Sequence, residues 1–378
     1  MTPARGTAQR DDVEGALAPA GPGRDSVPGR RIGGLDVARG LAVLGMFGAH
    51  LGDTGDLGWD PATWRALADG RSSILFATMA GISIALLSGG RDRLGGRELA
   101  RARTRVLVRA AWVFAIGGVL ELLGTFVAII LGVYAVLFVL ALPFLRWPPA
   151  RLLLAAGVVV LAAPPLTLAV GQYATEHDEE GDAFVFLLVT GYYPAAVWLA
   201  FVLVGLAVGR LDLGAARVRA GLVAAGSAAA VLGYLGGWLS TRELAPGERP
   251  AGIEAGFGSS GEWDPAWFAG AQPHSSTPFE VVGSGGFAVA VIGVCLVLAD
   301  LLPRLTYPLA SVGALALSVY TAQIVAIRVV EAESSADWGQ WVRFSLTAVL
   351  LATAWRLRLG RGPLERLLTW SSQRVAGP

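Results

Sequence analysis

Lysine is absent from this chain, and cysteine, histidine and charge are scarce. All 30 basic residues are therefore arginine. With many Ala and Gly, that fits a bacterial genome of high GC content better than a functional choice. The single cysteine, Cys295, lies in an apolar run, so no intrachain disulfide can form and a thiol-ligated metal centre is disfavoured. Charged residues make up only 16% of the 378, against about 25% in soluble domains, so a soluble globular class is excluded. No H-E-x-x-H, Walker, G-x-S-x-G or zinc pattern occurs, which removes proteolysis, ATP hydrolysis and serine-hydrolase chemistry. Nothing points to nucleic acid, and no metal is expected.

What is present is apolar. Hydrophobic residues reach 54%, the mean hydropathy is +0.57, and the apolar runs have the roughly 18–25 residues needed to cross a bilayer. The sequence predicts an all-α, polytopic integral membrane bundle. About ten spans fall near 35–54, 72–90, 106–123, 125–145, 152–172, 184–208, 218–240, 279–301, 308–328 and 340–357. Charge orients them. Segments 91–109, 146–151, 210–219, 303–304 and 356–366 carry 17 Arg against 4 acidic residues. Segments 51–70, 173–183, 241–280 and 331–337 carry 18 acidic residues against 3 Arg. Both termini are expected in the cytoplasm and the acidic segments outside, in a bacterial plasma membrane whose lipid is the first partner. Residues 1–30 lack the apolar region of a secretory signal and read as a disordered cytoplasmic tail. Residues 31–360 form the membrane domain, with an external loop at 241–280, and 361–378 form a second cytoplasmic tail.

Several polar residues interrupt the apolar runs. "GLDVARGLAVLGMFGAHLGD", residues 34–53, carries Asp36, Arg39 and His50. Eleven helical residues return to within about 20° of the start, so Arg39 and His50 share a face, and Asp36 falls on the same stripe. Asp36 and Arg39 can pair, either as an interfacial ion pair or as part of a wet cavity. His50 sits near the external end with Asp53 as its one local countercharge. In the second span Asp69 or Ser72 is the expected cap. Arg71 stands against both the helix dipole and the charge rule, which suggests an anionic partner nearby and convergence with His50.

"HSSTPFE" carries a helix start, with Thr277 as cap, Pro278 at the first position and Glu280 closing a capping box. His274 lies just before it and could face the same vestibule as His50. The Gly283, Gly285 and Gly286 cluster suits close helix packing. Ser318, Tyr320, Thr321 and Gln323 lie in an apolar span, where interhelical hydrogen bonding is the default. His177, in "EHDEEGD", reads as solvated surface, with loose cation binding the alternative. Trp263, Trp267 and Phe268 suit either the headgroup region or stacking on a sugar ring.

"RIGGLDVARGLAVLGMFGAH" resembles the YeiB-like bacterial membrane proteins (domain of unknown function 418). "DGRSSILFATMAGIS", "YYPAAVWLAFVLVGLAVGRLDL" and "HSSTPFEVVGSGGFAVAVIGVCL" continue the likeness over about 31–360. That family is similar to the heparan-α-glucosaminide N-acetyltransferase group. Both resemble the membrane acyltransferase-3 proteins, which share an Arg and a His separated by ten residues on the first helix, matched here by Arg39 and His50. The resemblance implies transfer of an acyl group, usually acetyl from cytoplasmic acetyl-CoA, to a saccharide or lipid-linked acceptor across the membrane. One departure is that the heparan group has Asn at the position of His50 and its active His in the following loop. Here that loop reads "DLGWDPATW", and no His occurs between 51 and 176.

On this reading Arg39, Arg105 and Arg109 contact acyl-CoA, and Asp36 holds Arg39. His50 is the base or a transient acyl carrier. Arg71, Asp69, His274, Glu280, Tyr320 and Gln323 are oxyanion or acceptor contacts. A transporter or flippase for a small anionic or lipid-linked substrate, with Arg39 and His50 lining its path, is the alternative, and a non-catalytic scaffold is a third. Homodimerisation is left open.

Overall fold

The computed structural model describes residues 33–52, 58, 60–177, 182–247, 252–257, 263–333 and 338–377. The expected tail at 1–30, Asp53 and part of the 241–280 loop lie outside these residues. The described residues contain helices and no strand. The helices are α1 (Gly33–Leu51), α2 (Arg71–Leu87), α3 (Gly96–Glu121), α4 (Leu131–Leu140), α5 (Pro149–Glu176), α6 (Ala183–Val185) and α7 (Ala195–Gly209). They continue with α8 (Ala216–Leu244), α9 (Pro278–Leu301), α10 (Pro303–Ala314), α11 (Ala316–Val329), α12 (Trp338–Leu359) and α13 (Pro363–Ala376).

Most expected spans centre on a helix or a bent pair, but of 125–145 only α4 and the short turn after it are helical, and residues 53–54 lie outside the described residues. Among the described residues, however, only Thr63–Leu87, Pro149–Glu176, Ala216–Leu244 and Pro278–Leu301 are individually long and apolar enough to cross a bilayer. Two bent pairs raise the count to six: Ala183–Thr190 with Ala195–Gly209, bent by 58°, and Pro303–Ala314 with Ala316–Val329, bent by 71°. Gly191 and Pro194 break the first pair, because proline has no N–H for the helical ladder. The remaining expected spans fail that test because α4 has only ten residues, Asp36, Arg39 and His50 lower the hydropathy of α1, and α3 and α12 carry several arginines.

Apolar surface alone does not glue helices together inside lipid; close backbone approach does. A Cβ on Gly286 would come 2.5 Å from Ala230 N and 2.7 Å from Gly226 O, so α8 and α9 touch along their glycines as the cluster suggested. Gly81 of α2 meets Val202 O and Gly205 of α7 in the same way. Gly313 of α10 lies against the carbonyl of Asp36, and Gly40 of α1 against that of Leu309. These contacts fix where the polar residues of α1 point.

The connecting segments gather into an arginine-rich end and an acid-rich end. At the former, Arg210 is buried and donates to Ala85 O (3.1 Å), Ser88 O (3.3 Å), Gly90 O (2.7 Å), Ser88 Oγ (2.9 Å) and the Leu145 carbonyl. It satisfies orphan carbonyls at the end of α2 and ties α7 to the segment after α4. Burial, with the charge of Arg93 beside it, lowers its pKa to about 10. Pairs Arg91–Asp212 (2.9 Å) and Arg219–Asp300 (2.6 Å) complete this end.

Candidate functional site

Three polar clusters sit in the bundle. The first surrounds the start of α1. Asp36 Oδ1 accepts from Arg39 Nη1 at 3.1 Å, one helical turn away. The i,i+3 pair is joined by a partner from the far end of the chain, with Arg356 Nη2 of α12 lying 3.8 Å from Asp36 Oδ2. The Arg39 guanidinium also donates to Ser83 Oγ of α2 (3.1 Å) and to Gly313 O of α10 (3.4 Å). Arg356 stacks over the Tyr307 ring at 4.9 Å. A buried carboxylate held by guanidinium groups is paired rather than left bare in the interior. Arg356 and Ser83 were not singled out as site residues. Arg356 reads along the sequence as one more orienting charge, and only the fold carries it to Asp36.

The second cluster lies towards the other end of α1. His50 Nδ1 is 3.2 Å from Gln323 Oε1, and the Tyr320 ring stands edge-on to the imidazole at 6.0 Å between centroids. Gln323 and Tyr320 are buried. If the amide oxygen accepts, Nδ1 carries the proton and Nε2 keeps its lone pair. The Tyr320 hydroxyl is buried without a hydrogen-bond partner of ordinary geometry. Beside Gln323 opens an apolar groove of about 560 Å³ between α1, α11, α12 and the start of α13. Phe47, Val319, Gln323, Phe344 and Trp355 line it, and Ser318 and Pro363 lie at its arginine-rich end.

The third cluster gathers at the acid-rich end. His274 Nε2 is 3.6 Å from Asp69 Oδ1. Its ring packs on Tyr192 (4.2 Å) and Tyr193 (5.3 Å). Thr277 caps α9, its hydroxyl accepting from Glu280 N at 3.1 Å as expected. The Glu280 carboxylate reaches further back than a simple capping box. It accepts from Ser276 N (2.7 Å) and His274 N (2.6 Å).

Arg71 departs from expectation. It donates to the Tyr234 hydroxyl (2.7 Å) and the Ala66 carbonyl (2.9 Å), and its guanidinium lies over the Tyr234 ring at 5.0 Å. Tyr234, from α8, supplies the electron-rich partner for which an anion had been expected. Nor do Asp69 or Ser72 cap α2. Gly70 occupies that position with φ +64° and no side-chain cap, while the Asp69 carboxylate turns to His274. The structure places His274 with Asp69 and the tyrosines, and His50 with Gln323 and Tyr320.

Arg105 and Arg109 lie one turn apart on α3, with Arg361 close to Arg109. The Nε atoms of Arg105 and Arg109 are buried without partners. The neighbouring α13 sends Glu365 to the start of α11, where its carboxylate accepts from Leu317 N (2.9 Å), Ser318 N (3.1 Å) and Ser318 Oγ (2.6 Å). Among the described residues no group of three or more His, Cys, Asp or Glu is placed to hold a metal. His177 stacks on Tyr173 at 4.1 Å at the helix end, and the acidic run after it lies outside the described residues. Trp263 is exposed, next to Phe268 at 6.1 Å.

Described residues that are helical and not stranded, with helices long and apolar enough to cross a bilayer and a polar interior of Arg, His and Gln, make this a multi-pass membrane protein of the acetyltransferase-like kind. Residues 31–239, just over half of the chain, match the family described as heparan-alpha-glucosaminide N-acetyltransferase, catalytic, and the chain belongs to that family. A comparison with curated proteins gave no match. The matched region ends within α8. Gln323, Tyr320 and Arg356, which meet residues of α1, therefore come from beyond it, as does His274, which meets Asp69.

Proposed function

We propose that this protein transfers an acyl group, acetyl in the simplest case, from cytoplasmic acyl-CoA to an extracytoplasmic saccharide or similar acceptor. The observation that carries this reading is the pairing of His50 with Gln323, eleven residues along α1 from the Asp36–Arg39–Arg356 cluster. That separation is about 16 Å along the helix, comparable with a pantetheine arm. The arginine-rich end is read as cytoplasmic and the bundle as crossing ten times, on the charge alternation. Arg39, Arg105 and Arg109 suit the phosphates of CoA, since guanidinium groups bind phosphate through several donors. With its Nδ1–H donated to Gln323, His50 presents Nε2 as the base or as a transient acyl carrier.

The two bent helix pairs favour a second reading, because transporters build midplane sites from broken helices. Acetyl-CoA separates the two. The full-length protein in nanodiscs is expected to bind acetyl-CoA in calorimetry and to hydrolyse it slowly, with water standing in for the acceptor. Arg39→Gln should weaken binding at least tenfold. His50→Ala should leave binding in place and abolish turnover. Protein that neither binds nor hydrolyses acetyl-CoA would overturn the acyltransferase and leave the transporter.

A further inference from the structure

His274 is held in a conformation that its residue type disfavours. Its φ is +63°, and that of Ser276 is +57°. Left-handed backbone at a non-glycine residue costs about 1–3 kcal/mol and tends to persist at functional sites. Here Glu280 holds both strained residues, accepting from His274 N and Ser276 N. The imidazole side chain is nine-tenths buried. Its Nε2 faces Asp69 Oδ1 at 3.6 Å, within ion-pair range and slightly beyond hydrogen-bond length. Catalytic contacts of this kind are often long until substrate arrives. Its Nδ1 is buried with no hydrogen-bond partner. A buried polar atom without a partner is uncommon and calls for a ligand, a water or a proton.

A space for one is at hand. His274, Ser275, Ser276, Thr190, Tyr192 and Glu254 line a cavity of about 10 Å³. That is close to the least volume, about 10–15 Å³, that admits the centre of one water, and the polar lining supplies its partners. Besides Asp69, the titratable groups around His274 are Glu280, Glu254, Tyr192 and Tyr193.

Proton balance gives this arrangement a use. When a group crosses a membrane from acyl-CoA to an external hydroxyl or amine, the acceptor's proton must be taken up outside. The CoA thiolate is protonated inside. We propose that Asp69 and His274 form the proton-accepting dyad of the external half of the transfer, deepening the acyltransferase reading on which it rests. Asp69 holds the proton on Nε2, and the bare Nδ1 takes the proton of the acceptor's O–H or N–H through the one water that the cavity admits. The freed electron pair forms the bond to the acyl carbon, and the bond from that carbon to its carrier breaks, its electrons leaving with the carrier. This assignment makes Glu280 a positioning residue, since its carboxylate holds the backbone on which His274 sits.

Two readouts on the full-length protein test the dyad. The chain has only three histidines, so ¹⁵N-histidine NMR in nanodiscs is assignable with one Gln variant at each. His274 should give the spectrum of a neutral ring protonated on Nε2, and Asp69→Asn should mix the two tautomers. A proton on Nδ1, or no response to Asp69→Asn, would overturn the dyad without touching the acyltransferase reading. In acetyl-CoA hydrolysis, His274→Gln should reduce the rate by about a hundredfold, the size of a general-base contribution, with acetyl-CoA affinity unchanged. His177→Gln should behave as wild type. Wild-type hydrolysis in His274→Gln would refute the assigned role. Wild-type protein that fails to bind acetyl-CoA would instead remove the reading beneath it.

Discussion

Asp36→Asn is the most informative single perturbation, because it removes a charge and almost nothing else. The carboxylate is 4% exposed and stands 3.1 Å from Arg39 and 3.8 Å from Arg356, whose side chains are 22% and 19% exposed. Two unit charges about 4 Å apart attract by about 4 kcal/mol at the effective dielectric that suits protein sites. Breaking a buried pair by deleting one partner costs about 3–5 kcal/mol, so the two routes agree. The variant also removes the negative charge that the two guanidinium groups share. The internal control is Asp212→Asn, which breaks the Arg91–Asp212 pair, whose side chains are 63% and 47% exposed. Exposed pairs contribute about 0–1 kcal/mol. Unfolding in mixed detergent and SDS should therefore rank Asp36→Asn at least 2 kcal/mol below Asp212→Asn, an estimate from the gap between those ranges. A double-mutant cycle with Arg39→Gln should give a coupling well above zero. Equal destabilisation by the two Asn variants, or strict additivity in the cycle, would refute the picture of a buried shared carboxylate.

Two further outcomes follow from contacts elsewhere. Glu365→Ala strips Leu317 N and Ser318 N of their acceptor. It should cost about 1–2 kcal/mol, as loss of a helix cap does, with faster hydrogen exchange confined to the first turn of α11. Gly286→Leu forces a side chain against the backbone of Ala230 and Gly226. It should destabilise by about 1–3 kcal/mol or more; normal melting of this variant would show that α8 and α9 do not touch there.

The features legible in the sequence were those set by nearest neighbours or by bulk composition. Helicity followed from apolar runs, the Asp36–Arg39 contact from a three-residue spacing, and the Thr277 cap from a four-residue motif. Tyr320 and Gln323 stood out as polar residues in an apolar helix, yet nothing along the chain named His50 as their neighbour. Arg71 went astray for the same reason. Its charge was plain, but Tyr234, 163 residues away, was invisible as its partner. Asp69 read as a cap because the local pattern allowed it, and tertiary packing gave it to His274 instead.

Hydropathy is a sum over the chain, so sequence alone determined the helical class. Which side chains meet depends on how far helices rotate and how closely they approach. Small residues such as Gly40, Gly313, Gly226 and Gly286 decide that by letting backbones touch. The joining of Arg356 to Asp36, of Gln323 to His50 and of Asp69 to His274 was therefore decided by the tertiary structure, since each joins residues distant in the chain that only packing brings within a few ångströms.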